Sequence, residues 1–508
     1  MSEDLLPLDA PLAAIDMGSN SFRLETGQLV RGRYRRLHYV KETVRLGAGL
    51  DTNGLLTEEA AERGLDCLRR FALMLTGFAP TQVRAVATQT LREARNRDAF
   101  LLRAQAVLGH PIEVISGREE ARLIYAGVAH LQPSDRRRLV IDIGGRSTEM
   151  ILGEGERPIK AESFAVGSVS LSLRHFPDGV LTAPRFRAAQ VAAGAELEEG
   201  LAPFAPGGWE EALGSSGTVG AVSQLLATAG RDDGVITPKN LQWLIQRCLE
   251  AGHIDKLDLP GLKADRRPVI AGGLALLYTL AAQFGIQRLA PTRGALRQGV
   301  IIDLHQRLAA QRGGAPREPA LVGDRRDASV AELQRRFEVD TAQAARVRNV
   351  ALALYRGAMP DDTEGARELG WAAALHEMGL MVSHHDHHRH SAYLVAHVDA
   401  PAFSQTQQRQ LANIVLGQRG GLRKIEEALV DRRFALQVLT LRLAAIKCHA
   451  RSEADPEALS LQADSATARL RFAPAWAEAR PRTLYLLQEE VTAWERSGTL
   501  RLVLDGNG

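Results

Sequence analysis

Three short stretches of this chain combine the residue types that handle phosphate: IDMGSNS (residues 15–21), IDIGGRST (141–148) and GSSGT (214–218). In the first two, an apolar run ends in an aspartate, Asp16 or Asp142, that can hold a divalent cation directly or through water. The glycines beyond it let backbone N–H groups turn toward an anion, and the hydroxyls add donors. GSSGT repeats the glycine-and-hydroxyl design. One such loop is more often only a turn; three in this order could clamp a phosphate chain from several sides. A fourth stretch, SGREEA (116–121), places Glu119 and Glu120 in the first turn of a predicted helix. Carboxylates there suit the helix dipole, which is a sufficient structural reason for both. They project about 100° apart, so at most one faces a common cleft, where it could take a proton from an attacking water.

These loops need strands beneath them. Strands are predicted at Leu12–Asp16, Phe22–Val30 and Tyr34–Val40, with a turn at Arg31–Arg33. A helix follows over Leu56–Gly77 with Thr57 as N-cap. Next come a strand at Val83–Thr88, a helix over Thr90–Leu108, a strand at Pro111–Ile115, and a helix from Arg118 to His130 capped by Ser116. AIDMGSNSFRL (14–24) then echoes in VIDIGGRSTEM (140–150), so the chain should hold two copies of one βαβ-like unit facing each other. Gln311–Asp327 mixes Gly, Pro and charge and reads as a linker. Beyond it the pattern is helical (Val330–Phe337, Thr341–Tyr355, Glu364–Met378, Gln405–Gly417, Leu436–Ala450), with strand-like alternation at Ala458–Ala473 and Leu500–Leu504.

The 508 residues suggest several domains. Apolar residues make up 45%, charged residues 24% and aromatic residues 5%, an ordinary globular composition. The net charge of +3 gives no reason to expect a nucleic-acid partner. Arginine outnumbers lysine, which suits bidentate phosphate contacts. Cys67, Cys248 and Cys448 lie too far apart in sequence to form a CxxC pair and read as small buried residues. The acidic start does not resemble a signal peptide, and no stretch offers the ~18 apolar residues of a membrane span. The reading is a cytoplasmic protein, with peripheral association at a membrane surface left open.

The motifs AIDMGSNSFRL, ATQTLREA, ISGREEARLIY, VIDIGGRSTE, GSSGT and GALRQG, in this order, resemble the exopolyphosphatase / guanosine pentaphosphate phosphohydrolase family. HEMGL (376–380) and HRHSAYLV (388–395) extend the likeness and look closer to the exopolyphosphatase branch. The resemblance implies an α/β fold of two ribonuclease-H-like domains of the actin/sugar-kinase superfamily (1–130 and 131–310). A mostly helical HD-like region with a small α+β tail (325–508) would follow. It implies Glu120 as catalytic base, Asp142 and Glu149 as catalytic residues that hold Mg²⁺, and K⁺ as an activator. Ser19, Asn20, Gly144, Gly145, Ser216, Gly217 and Thr218 would be phosphate-loop positions, with Arg92 and Arg297 as basic substrate-binding positions near the cleft. The implied activity is release of terminal orthophosphate from inorganic polyphosphate by a homodimer. Removal of the 5′ γ-phosphate of guanosine pentaphosphate is the alternative substrate use. Outside that activity stand a kinase sharing the fold and a non-catalytic polyphosphate or alarmone sensor.

Two features depart from the family pattern. Arg146 stands where a third glycine is usual, so a left-handed backbone is not required there. Its side chain either points to solvent or leans over the cleft to bind an additional phosphate. In the C-terminal region an HD pair is replaced by His376–Glu377, which argues against a catalytic metal. The run HHDHHRH (384–390) then reads as an exposed loop or interface patch, and Arg423, Lys424, Arg432 and Arg433 as an extension of a basic channel for a long polyanion.

Overall fold

The computed structural model describes residues 7, 9–311, 324–451, 455, 458–464 and 466–506. Most of the predicted linker, residues 312–323, lies outside them. The chain divides into two compact units, residues 1–323 and 324–508.

The N-terminal unit is built on two five-stranded sheets. Its elements are β1 (Leu12–Met17), β2 (Ser21–Val30), β3 (Arg33–Thr43), α1 (Glu58–Met74), β4 (Val83–Ala87), α2 (Gln89–Glu93), α3 (Arg97–Leu108), β5 (Ile112–Val114) and α4 (Gly117–Leu131). They continue with β6 (Arg137–Ile143), β7 (Thr148–Glu154), β8 (Arg157–Phe164), α5 (Ser168–His175), α6 (Ala183–Leu197), β9 (Glu211–Ser215), α7 (Ser216–Thr228), α8 (Pro238–Ala251), α9 (Ile270–Gln283), β10 (Leu289–Pro291) and α10 (Leu296–Gln311). The sheets run β3-β2-β1-β4-β5 and β8-β7-β6-β9-β10. Both have the same pairing sense: two antiparallel hairpins, then parallel strands. The sequence echo is therefore a duplicated sheet, with β1–β2 and β6–β7 in equivalent places.

Local chemistry explains the elements. The run LAAIDM is buried throughout and forms a central strand, as a continuous apolar segment should. Arg31 and Gly32 both take positive φ (50° and 76°) between β2 and β3, the backbone of a tight hairpin turn. Thr57 and Ser116 cap α1 and α4 by accepting from Ala60 N and Glu119 N. The single helix predicted over 90–108 is broken in two. Asn96 bonds both backbone groups of Leu56 through its amide (2.9 and 3.0 Å), and Arg95 N donates to Gly54 O. A side chain that offers the backbone an alternative partner competes with the helix.

Each sheet has its own core, and a third cluster joins them. Residues from β1, β4, β6 and β9 pack there against α4 and α10. The two helices meet at van der Waals limit: a Cβ on Gly299 would lie 1.8 Å from Leu123 O, and one on Gly127 2.5 Å from Ala295 O. These glycines serve close approach, which is why TRGALRQG ends in Gly299 and α4 carries Gly127 opposite it. Beneath the crossing, Asp303 of α10 accepts from Arg84 (2.7 Å), Arg122 (2.6 Å) and Arg307 (2.7 Å), and Arg122 also holds Glu119 at 2.7 Å.

The C-terminal unit contains α11 (Arg325–Arg336), α12 (Thr341–Ala358), α13 (Thr363–Leu375), α14 (His387–His397), α15 (Gln405–Gly417) and α16 (Arg432–Lys447). A three-stranded sheet, β11 (Ser460–Ala463), β12 (Thr467–Arg471) and β13 (Arg501–Asp505), surrounds α17 (Pro474–Glu478) and α18 (Pro481–Ser497) in sequence. The strand-like alternation is confirmed, and α14 and α18 are additional to the expected helices. Of the HHDHHRH run, His384, His385 and Asp386 are exposed, while His387 and His388 are buried at the start of α14. Among the described residues no group of three or more His, Cys, Asp or Glu is placed to hold a metal ion. Of the four residues expected to extend a basic channel, Arg423 is exposed and only Arg433 is paired with carboxylates among the described residues. Arg433 is held by Asp362 (2.8 Å) and Glu368 (3.1 Å), and Arg432 by the carbonyls of Ala463 and Asp464. Lys424 is held by that of Arg419. All three cysteines are buried and free. No helix among the described residues is long and apolar enough to cross a membrane.

Asp303→Ala would leave buried guanidinium groups without their carboxylate and should cost about 3–5 kcal/mol in urea unfolding. The pKa of Asp303 is held well below the usual carboxylate range by Arg307, Arg122 and Arg84, against its own burial. A depressed carboxylate contributes stability above its unfolded pKa and loses it as pH falls. The gap between wild type and variant should therefore shrink in acid.

Candidate active site

The two equivalent hairpins carry opposite charge at equivalent positions. Asp16 on β1 faces Arg23 on β2 in register, and Arg23 Nη1 donates to Asp16 Oδ2 at 2.9 Å. Arg297 adds a second cation at 3.5 Å. In the second sheet Asp142 on β6 faces Glu149 on β7. Directly opposed residues share a face of the sheet, and like charges there repel. The position that neutralises the aspartate in one sheet thus opposes it in the other. Asp142 lines a cavity of about 290 Å³ between the sheets. Glu149 is not on the cavity wall; it is 1% exposed and accepts from Ser163 Oγ at 2.8 Å.

Glu120 enters the same cavity from the first turn of α4. Its neighbour Glu119 turns away to bind Arg122, so one of the two glutamates faces the cleft, as helix geometry required. Arg92 Nη1 donates to Glu120 Oε2 at 2.8 Å and to Ile115 O at 3.0 Å. Burial pushes Glu120 up to about 7 against the pull of Arg92, with Asp16 and Asp142 adding to the rise. Burial pushes Asp142 up to about 6 against a hydrogen bond from Ser215 and the charge of Arg23. Glu149 is raised well above the carboxylate range by burial and then by Glu120 and Asp142. Three carboxylates are buried together with too little positive charge between them.

The phosphate-type loops surround them. Ser19, Asn20, Gly144, Gly145, Ser216, Gly217 and Thr218 all line the cavity. Ser216 leads α7 with φ 80°, a backbone that a serine adopts only when held there. Its Oγ donates to Ile143 O (2.6 Å), and Thr218 Oγ1 donates to the same carbonyl (3.2 Å). These hydroxyls fasten the loop, leaving its N–H groups rather than its hydroxyls to meet an anion. Ser19 Oγ accepts from Thr90 Oγ1 at 2.8 Å. A Cβ at Gly217 would lie 1.9 Å from Arg266 Nη2, so a side chain there would displace the Arg266 guanidinium.

Two of the expected contacts are corrected. Arg92 does not line the cavity; its guanidinium is occupied by Glu120, Ile115 O and Gln89, so it positions the candidate base. Arg146 neither points to solvent nor leans over the cleft. It reaches from the β6–β7 loop to Glu93 Oε2 (2.6 Å) and Gly47 O (3.2 Å), tying the second sheet's loop to the first sheet's side. Its φ is not positive, as expected. Arg297 does line the cavity, engaged by Glu25 and Asp16. Four further cations on the wall were not foreseen: Arg23, Lys41, Arg266 and Arg293. Arg23 was legible from its place opposite Asp16 in the alternating strand. Arg266 and Arg293 sit in loops without periodicity, and neither forms an ion pair among the described residues.

Fold and site together define an α/β protein of duplicated sheets with a carboxylate-containing cleft lined by glycine- and hydroxyl-bearing loops. The chain belongs to the Ppx/GppA phosphatase family. Its model matches residues 28–308, and the model of the Ppx/GppA phosphatase domain III matches residues 325–491. Among similar curated proteins, the guanosine-5′-triphosphate,3′-diphosphate pyrophosphatase of Photobacterium profundum is 34% identical over 491 residues, covering 96% of each chain. That of Aeromonas hydrophila is 36% identical over 504 residues, covering 96% of this chain and 98% of its own. The crystal structure of an exopolyphosphatase from Cytophaga hutchinsonii shares the fold (TM-score 0.53, 24% identity), covering 58% of this chain and 98% of that one.

The buried carboxylates make stability pH-dependent with a definite sign. The folded state binds more protons than the unfolded one between the ordinary pKa of Asp142, 3.8, and its raised value of about 6. Without divalent cation, stability therefore falls as pH rises through that window. Asp142→Asn removes this contribution, so the variant should gain on wild type by on the order of 3 kcal/mol from about pH 4 to pH 7. Parallel pH profiles in urea unfolding would show that Asp142 is not held in an unfavourable charged state.

Proposed function

We propose that the protein hydrolyses the terminal phosphoanhydride of guanosine pentaphosphate, releasing orthophosphate, with inorganic polyphosphate as a second substrate of the same phosphoryl site. The motif resemblance put polyphosphate first. The names of the two curated relatives, which match across nearly the whole chain, favour the nucleotide. The observation that carries the hydrolytic part is Glu120. It is a carboxylate on the cavity wall, held by Arg92, with its pKa raised to about 7 beside loops suited to phosphate.

Asp142 and Glu149 fit a hard divalent cation. They are oxygen donors, opposed on adjacent strands, and lack the arginine that neutralises the equivalent aspartate. Mg²⁺ typically takes one or two carboxylates and completes its shell with water and phosphate oxygens. Bound there, it would supply charge neutralisation at the transferring phosphoryl group. The protein's own residues do the rest. Glu120 orients a water and accepts its proton, and a base poised near the working pH is the efficient kind. Arg92 fixes the carboxylate's orientation. Backbone N–H groups of the loops at Gly144–Gly145 and Ser216–Thr218 meet the developing charge from fixed positions. Arg266 and Arg293 offer unpaired positive charge to the rest of the polyphosphate moiety. Phosphoryl transfer asks mainly for such positioning and electrostatics. The C-terminal unit, related to HD phosphohydrolases by resemblance, acts on this reading without a metal site of its own. The working form we propose is a cytoplasmic homodimer.

Side-by-side kinetics test the assignment. Wild type with Mg²⁺ should show a kcat/KM on guanosine pentaphosphate at least about tenfold above that on long-chain polyphosphate. Glu120→Gln should lower kcat on both by about 10²–10⁴-fold with KM little changed. The reverse substrate order would restore the exopolyphosphatase assignment, and near-normal turnover of the variant would remove Glu120 from its role.

A further inference from the structure

A second cavity adjoins the phosphate cleft and has the opposite character. It holds about 260 Å³ and shares Ser19 and Asn20 with the cleft. Its walls are apolar: Val169, Leu173 and Phe176 from α5 and its end, Leu181, and Pro268 and Val269 ahead of α9. Leu173 is 51% exposed although it lines a concavity. A polyphosphate chain has nothing to place against such a wall. The volume lies below the usual range for a whole drug-sized ligand and suits one flat heterocycle.

The polar groups of this cavity have a defined pattern. Asp265 is a carboxylate in a neighbourhood otherwise supplied with cations. Lys41 Nζ donates to its Oδ2 at 2.7 Å, and Oδ1 has no partner among the described residues. Lys41 lines the phosphate cleft and Asp265 the apolar cavity, so this pair stands at the boundary between them. Arg45 and Asn20 supply donors. Arg45 holds a left-handed backbone (φ 54°), fixed by its N–H to Asn20 O at 2.9 Å, and its exposed side chain forms no ion pair among the described residues. An acceptor carboxylate together with arginine and amide donors complements guanine. Guanine offers N1–H and the 2-amino group to a carboxylate, and O6 and N7 to donors. Adenine lacks a 2-amino group and presents a donor where guanine has O6.

Resting on the nucleotide reading above, we propose that this cavity is the base subsite of the phosphate cleft. Guanine would stack against Leu173 and Pro268, with its N1 and 2-amino edge on Asp265 and its O6 edge toward Arg45 or Asn20. A base seated there joins a phosphate chain in the cleft across the shared Ser19–Asn20 loop. The same enzyme can then hydrolyse a bare polyphosphate without using the cavity, so substrate preference is set outside the chemical step.

The test compares three substrates: guanosine pentaphosphate, its adenosine analogue, and tripolyphosphate, which has no base. Wild type should favour the guanosine over the adenosine compound by about 10–100-fold in kcat/KM. Leu173→Trp, which fills the cavity, should raise KM for guanosine pentaphosphate by about tenfold or more while tripolyphosphate turnover stays at the wild-type value. Retained tripolyphosphate turnover also shows that the variant folds. Asp265→Asn should collapse the guanosine-to-adenosine ratio toward one; the ratio is read because Lys41 could change both numbers together. If Leu173→Trp keeps the wild-type KM and guanine preference, the base subsite is wrong and the phosphohydrolase assignment stands. If wild type cleaves tripolyphosphate but not guanosine pentaphosphate, the substrate assignment fails and the base subsite fails with it.

Discussion

The structure turns on one electrostatic constraint: Glu120, Asp142 and Glu149 are buried together and, among the described residues, only Arg92 pairs directly with one of them. Burying a carboxylate without a partner is costly, and two opposed on adjacent strands add repulsion. A fold does not keep such an arrangement for its own stability. The contrast lies within the same molecule, because the duplicated hairpin puts Arg23 opposite Asp16 and Glu149 opposite Asp142. One copy is internally neutralised, with Asp16 and Arg23 paired on the cavity wall. The other has a negative charge that a divalent cation could satisfy.

The scaffold holds these groups with little freedom. Glu120 rides on α4, which is capped by Ser116, pressed against α10 through Gly127 and Gly299, and anchored below by the Asp303 cluster. Asp142 ends a strand buried on both faces, and its loop is tied across by Arg146 to Glu93. The carboxylates therefore keep their spacing when the cleft is empty of counter-charge. Such rigidity is what lets an unfavourable cluster persist as a binding site.

Much of this was legible in the sequence. The three loops, the two-fold echo, the caps at Thr57 and Ser116 and the divergence of Glu119 from Glu120 follow from local patterns that the fold preserves. Arg146 was misread because the loop's spacing says nothing about a partner on another strand pair; Glu93 is 53 residues away. Arg92 was misread for a similar reason, since a cation near a cleft can as well hold the base as the substrate. The break between α2 and α3 depended on the Asn96 amide meeting Leu56, a tertiary contact. By contrast α18 carried readable signals, Pro481 at its first position and Gly498 past its end. The apolar cavity, assembled from segments distant in sequence, had no sequence signal at all.

Calorimetric titration of the protein with Mg²⁺, in two buffers of different ionisation enthalpy, tests the central claim most directly. If the buried carboxylates hold protons only for want of a counter-charge, binding of about one cation near neutral pH should release protons. Glu149→Gln should then bind at least about tenfold more weakly and release fewer. Binding with no proton release, and with the same affinity in Glu149→Gln, would contradict the account and move the cation elsewhere.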